Sequence, residues 1–478
     1  MHWIDLTIFG SYMVVMLLVG LYFYRKNESS DDYYVGSRNM GSLHIGLSVV
    51  ATDVGGGFSI GLGGLGFVMG LAGSWMLFAG LVGAWLAAVI LVPRVHKLSG
   101  QHEFQTFPQL FGKFYSKEVA IIAAVISAIG YLGFTSSQIL AGAKLASASF
   151  NGLERNEALL IMGAVAVIYT ALGGLKAVIY TDTIQWIVLL GGLIFIGLPL
   201  SIHELGGWQA IRDTLPDSFF SLSNISWQNI VNWMITIIPI WFIGMTLYQR
   251  IYASKSIKSA KRAWFIAGLF EYPIMAFVGV LFGLFARAGF EHGIFNQYEV
   301  MKSNIDPEIG LPLLLRHIMP VGLMGLMMSA YFSAIMSTAD SCIMAASGNV
   351  LTDLLGWHTR ENTVSLSRIV TVVVGALSML IAMKMPNVLE LMLYSYAFMV
   401  SGLFVPMMGL LFMKKISNGA ALLSMIIGGF TTISLIISNL ELPFHLDPNI
   451  FGISLSIISY FLFSAMLETK VNEMRKKI

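Results

Sequence analysis

Apolar stretches long enough to cross a bilayer recur from Trp3 to about Leu467, separated by short polar segments. The pattern predicts thirteen spans, at about 3–24, 42–70, 71–92, 118–149, 156–174, 176–201, 227–252, 259–289, 318–351, 362–384, 388–413, 418–439 and 450–468. The first has Asp5 at its start and no small-residue cleavage site after it, so it reads as a retained span rather than a signal peptide. The longer polar stretches at about 202–226 and 290–317 are rich in Asp, Asn and Ser and would cover an outer vestibule. Composition points the same way. Hydrophobic residues make up 56% and charged residues 11%, against about 25% charged in a soluble domain.

Basic residues orient such a bundle, because the loops on the inner side carry the excess of Lys and Arg. With the N-terminus outside and the C-terminus inside, twenty-one basic residues fall on the inner side and six on the outer, with Lys144 inside a span. The expected placement is an integral plasma membrane, the bacterial inner membrane, with the C-terminus cytoplasmic.

Two spans are interrupted. The second is broken at Gly55-Gly56-Gly57, where glycine lets a helix unwind and expose carbonyls. Five spans later, 227–252 is broken around Pro239 and Gly244. The odd count between them makes one interrupted helix start inside and the other outside. Interrupted spans at matching positions of oppositely oriented halves are the pointer to an inverted-repeat secondary transporter. The halves are 42–201 and 227–413, with one extra helix before (3–24) and two after (418–468), all within a single transport domain over 1–478. The glycines at 61, 63, 64, 66 and 70 read as close-packing positions.

Inside these spans lie three aspartates in Gly-, Ser- or Thr-rich settings, each costing about 2.5–3.5 kcal/mol at a helix centre and marking ion or substrate paths. They are Asp53 in ATDVGGG (51–57), Asp182 in YTDTIQ (180–185) and Asp340 in SAIMSTADS (333–341). Their neighbours are hydroxyls and loosened carbonyls, hard oxygen donors suited to a hard cation. Ala334, Ser337 and Thr338 stand at i, i+3 and i+4, on one helix face; Ser337, Asp340 and Ser341 repeat that spacing one step toward the cytoplasm.

These motifs, with TALGGLKAVIYTDTIQ (170–185) and YQRIYASKSIKSAKR (248–262), resemble those of the sodium:solute symporters, a family holding proline, sialic acid, sugar and choline carriers. The resemblance covers nearly the whole chain. It implies an all-α membrane protein with a LeuT-type five-plus-five inverted repeat whose first and sixth core helices are broken. It also implies a sodium site of the Ala51 and Val54 carbonyls, the Ala334 carbonyl and the Ser337 and Thr338 hydroxyls. Asp182, Ser337, Asp340 and Ser341 resemble a second sodium site, with one sodium and a protonated carboxyl pair as the rival. Asp53 resembles a carboxylate needed for sodium action in proline-carrying members; its bland reading is a cap on the broken helix.

The expected function is sodium-coupled symport of a small organic solute by alternating access. The solute would sit at the midplane, near Asp53, Gly55, Gly56, Gly57 and Phe58, then Tyr131, Phe134 and Thr135, then Trp241, Phe242, Gly244 and Met245. Asp53 and Gly244 stand where choline-carrying members have tryptophans, and Phe58 stands about where sugar-carrying members have a glutamine. An amino acid or similar zwitterion is therefore expected, with an organic amine or carboxylate behind it.

Other classes find less support. A net charge of +2 argues for no nucleic acid, and the lone Cys342 excludes an internal disulfide and reads as a packing residue. The nine His lack metal-ligand spacing, and no nucleophile–base set or cofactor fingerprint appears, so no enzyme and no cofactor beyond the coupling ion is expected. A channel would repeat a pore loop and usually form oligomeric rings, whereas one chain with an inverted repeat can work as a monomer in the lipid bilayer. A non-transporting sensor of the same fold is the remaining alternative. Of the remaining in-span charges, Glu271 reads as relieving the kink at Pro273 or pairing with a neighbour. Lys144 and Glu390 read as snorkelling at outer span ends, and Arg250 as an anchor for the inner end of its helix.

Overall fold

A computed structural model describes residues 2–24, 38–150, 152–297, 306–356, 363–438 and 440–474; at positions 20, 23, 24, 54, 58, 173–184, 297 and 363 it describes the backbone alone. Apolar side chains with no aqueous alternative, and backbone groups that must pair internally within lipid, make the described chain almost wholly helical. The principal helices are α1 (Trp3–Tyr24), α2 (Ser42–Val54), α3 (Gly56–Met69), α4 (Trp75–Ile90), α5 (Lys117–Ser149), α6 (Arg155–Gly192), α7 (Trp227–Ile243) and α8 (Met245–Ala253). They continue as α9 (Ile257–Leu269), α10 (Ala276–Glu291), α11 (Leu323–Gly348), α12 (Thr363–Ala382), α13 (Val388–Phe412), α14 (Asn418–Ser438) and α15 (Pro448–Met466).

Both expected interruptions are present. α2 and α3 meet at Gly55, and α7 and α8 meet at Gly244 with a bend of 41°. α11 packs on α5, α6 and α2, while α13 packs on α5 and α14, so the two broken helices are enclosed. Among the described residues nine helices are long and apolar enough to cross a membrane, or ten with the bent pair. α11 is not one of them, because its Ser, Thr and Asp residues offset its apolar ones. The two spans expected over 156–174 and 176–201 have one continuous helical backbone through Gly192. Gly173 and Gly174 weaken a helix without removing a donor, and no proline divides the stretch.

Polar residues within the apolar bundle tie helices together. Asp5 on α1 accepts from the Gly322 and Gly325 amides (2.7 and 2.8 Å), capping the start of α11 with a negative charge where the helix dipole favours one. Lys144 does not snorkel. It is 2% exposed and donates to Glu308 (2.6 Å) and Asp306 (2.7 Å), carboxylates brought in by the segment that leads into α11. Glu308 also accepts from the Val388 and Leu389 amides at the start of α13 (2.9 and 3.0 Å), linking α5, that segment and α13. Lys144→Ala would leave a buried carboxylate without its cation, and is expected to cost about 3 kcal/mol. The check is a lowered melting temperature of the detergent-purified protein. Glu390 is held locally in the first turn of α13 by Tyr394 (2.7 Å) and Asn387 (2.9 Å).

Candidate functional site

At the α2–α3 break, the helix ladder ends and a hydroxyl on α11 takes over. Thr338 Oγ1 donates to the Ala51 carbonyl (2.7 Å), which also accepts from the Gly55 amide (3.2 Å). Ser337 Oγ and Thr338 Oγ1 both lie within hydrogen-bond distance of the Ala334 carbonyl (3.3 and 3.4 Å). Ala51, Ala334, Ser337 and Thr338 thus converge on one place, and Val54 stands on the same last turn of α2, its side chain outside the described residues. All four residues that converge are buried. The donor set, carbonyl and hydroxyl oxygens with no nitrogen or sulfur, suits a small hard cation. In exchange for the ion, Thr338 would give up its bond to Ala51 and turn its lone pairs inward.

Gly55 makes this approach possible. A Cβ there would lie 2.5 Å from Thr338 Cβ and 2.8 Å from Gln138 Oε1. Just beyond, the Gly57 amide donates to Gln138 Oε1 (3.1 Å), so a side chain from α5 satisfies one of the free amides at the start of α3.

Next to these oxygens is a small cavity of about 10 Å³, bounded by Thr52, Asp53, Tyr131, Phe134, Ile240, Gly244, Thr246, Leu247 and Tyr396. Its walls come from α2, α5, α7, α8 and α13, so both helix breaks face it. At that volume it has room for about one water, so solute entry requires the walls to separate. Tyr396 donates to Asp53 Oδ1 (3.3 Å) and packs edge-on against Phe134 (4.9 Å). Tyr131 accepts from the Thr246 amide (3.1 Å) at the α7–α8 break, satisfying a donor that the helix cannot.

Of the residues expected around the solute, Asp53, Tyr131, Phe134 and Gly244 line this cavity. Thr135 instead bonds back to the Tyr131 carbonyl (2.8 Å), and Met245 Sδ accepts from the Phe107 amide (3.1 Å). Phe242 packs on Phe404, and Trp241 is fully buried away from the cavity. Gly56 and Gly57 pack tightly against neighbouring helices, and the side chain of Phe58 is outside the described residues. Gln138, Thr246 and Tyr396 were not expected here. The TSSQ run on α5 and the paired tyrosines of YSY on α13 were their only signals.

Of the residues resembling a second sodium site, Ser341 and Asp340 have side-chain partners. Arg250, fully buried, sends Nη2 to Ser341 Oγ (2.7 Å), Thr52 Oγ1 (2.7 Å) and Ser48 Oγ (3.1 Å). Ser341 in turn donates to the Ser337 carbonyl (2.9 Å), and Asp340 Oδ1 accepts from Thr170. A guanidinium therefore already stands on this stripe. The side chain of Asp182 is outside the described residues.

The sequence model of the sodium:solute symporter family matches residues 33–428. This chain belongs to the sodium:solute symporter family. It is 29% identical over 475 residues to the high-affinity proline transporter of Bacillus subtilis (strain 168), covering 95% of this chain and 96% of the relative. It is 25% identical to the sodium/pantothenate symporter of Escherichia coli (strain K12), covering 95% and 94%. Its fold matches that of a sodium-coupled sialic acid symporter with a TM-score of 0.81, at 21% identity over 98% of this chain and 99% of that one. The fold is accordingly the LeuT type, and the symporter is an integral membrane carrier rather than an enzyme. Sodium is its coupling ion and not a resident cofactor, and a small organic solute is its cargo.

Proposed function

We propose that this symporter imports a proline-like zwitterion, with sodium held by the Ala51, Val54 and Ala334 carbonyls and the Ser337 and Thr338 hydroxyls. The observation that carries the reading is the junction at Ala51–Thr338. There an oxygen set fit for sodium shares the last turn of α2 with Asp53, which lines the central cavity. Sodium entering from outside pulls the α2 break and α11 together, and so sets Asp53 and Tyr396 for the solute. The amine of a zwitterion meets the Asp53 carboxylate; its ring lies against Tyr131 and Phe134. The N-terminus is outside and the chain sits in a bacterial inner membrane, as the basic loops suggest, and it works as a monomer.

End-to-end similarity to a proline transporter supports the zwitterion, and equally full similarity to a pantothenate symporter supports a carboxylate without an amine as the second reading. A thermal-shift screen of the purified protein against L-proline, other amino acids and simple organic acids, run in sodium and again in potassium, separates them. L-proline is expected to raise the melting temperature in sodium and much less in potassium. Stabilisation by acids alone would favour the second reading. Counterflow in proteoliposomes then distinguishes a carrier from a sensor, since only a carrier exchanges labelled solute.

A further inference from the structure

Asp53 on the wall of the central cavity has a second buried acid beside it. Glu271 sits at the turn between α9 and α10, in the middle of the Ile257–Glu291 stretch, and is 0% exposed. Its carboxyl faces that of Asp53, itself 6% exposed. Apart from each other, both Glu271 oxygens and Asp53 Oδ2 have no hydrogen-bond partner among the described residues. Room for the Glu271 carboxyl is reserved on the far side: a Cβ at Gly80 on α4 would collide with Glu271 Oε2. The acid thus has a cradle in one helix and a second acid in another, and no positive side chain pairs with it among the described residues.

An unpaired buried charge costs several kcal/mol, and two carboxylates side by side cannot both stay ionised without a counter-charge. The neighbouring guanidinium, Arg250, is engaged with the hydroxyls of Ser48, Thr52 and Ser341. That contrast separates two places for a second cation. The Ser337–Ser341 stripe already has Arg250 on it, whereas the Asp53–Glu271 pair has four carboxylate oxygens and no cationic side chain bonded to them.

We propose that Asp53 and Glu271 form a cation site of their own, which takes a second sodium ion during the transport cycle. Glu271 lies outside the residues bounding the central cavity, behind Asp53 as seen from it. A bare monovalent ion fits such an enclosed place; an organic amine would have to displace the helices that close it. Binding joins the α9–α10 turn to the α2 break, so the second ion acts on the same hinge as the first. Each added charge moved inward is worth about 2.3 kcal/mol per 100 mV, so two sodium ions double the electrical drive on the solute.

The test is equilibrium binding of radiolabelled sodium to the full-length purified protein, with N-methylglucamine as the inert cation and no solute needed. Wild type is expected to bind two sodium ions per chain, and Glu271→Gln one, with the remaining affinity within about twofold. Thr338→Val, which weakens the other site, is also expected to retain one ion, and this keeps the proposal testable should Glu271→Gln misfold. A wild-type count of one, or an unchanged count of two in Glu271→Gln, overturns the site and leaves the pair sharing a proton. A wild-type count of zero would instead remove sodium coupling itself.

Discussion

Thr338→Val should raise the sodium concentration needed for half-maximal solute uptake by about 10- to 100-fold, the equivalent of about 1.5–3 kcal/mol for one contact to a charged group. Valine keeps the shape of threonine and loses only the hydroxyl. That hydroxyl meets the Ala51 carbonyl at 2.7 Å and joins α11 to the α2 break. Thr338→Ser restores the oxygen and should return the sodium dependence to within a few-fold of wild type. A loss that serine rescues is a ligand effect, whereas one that serine does not rescue is a packing effect. Uptake into proteoliposomes across a sodium titration reads both.

Gly55→Ala is the second large effect. Its new methyl would press on Thr338 Cβ at 2.5 Å and Gln138 Oε1 at 2.8 Å; the Gln138 amide can swing aside at the loss of its bond to Gly57, but Thr338 Cβ gives way only if α11 moves. Overpacking of this kind costs about 1–3 kcal/mol. Here the shift falls on the junction that gathers the sodium oxygens. Sodium-stimulated uptake is expected to fall to the level seen in potassium, while the protein still elutes as a folded species with a lowered melting temperature. Wild-type uptake in Gly55→Ala would mean that α2 and α11 do not approach each other in the working cycle.

The parts of this protein legible in its sequence were those written within single segments. The glycine run at 55–57 and the Pro239–Gly244 stretch marked two breaks, because the residues that interrupt a helix are local. Ala334, Ser337 and Thr338 shared a face by spacing alone. Contacts between segments far apart in the chain were not legible. Lys144 looked like a snorkelling residue because nothing in its own helix announces Glu308, which reaches it from a segment far along the chain. Tyr396 and Gln138 approach the break from α13 and α5, and only packing brings them there. Glu271 looked like a kink residue until the fold set it against Asp53 and over Gly80. Arg250 was expected at the inner end of its helix; its bond to Ser341 is what changes the reading of the second ion.

The most direct measurement of sodium-coupled symport is sodium movement driven by solute. Proteoliposomes containing the protein are given an inward gradient of the solute identified by thermal shift, with radiolabelled sodium at equal concentration on both sides. Labelled sodium is expected to accumulate inside while the solute gradient lasts, and Thr338→Val to lower that accumulation at sodium concentrations below its raised half-maximal value. Solute entry at the same rate in sodium and potassium, with no net movement of labelled sodium, would contradict sodium-coupled symport.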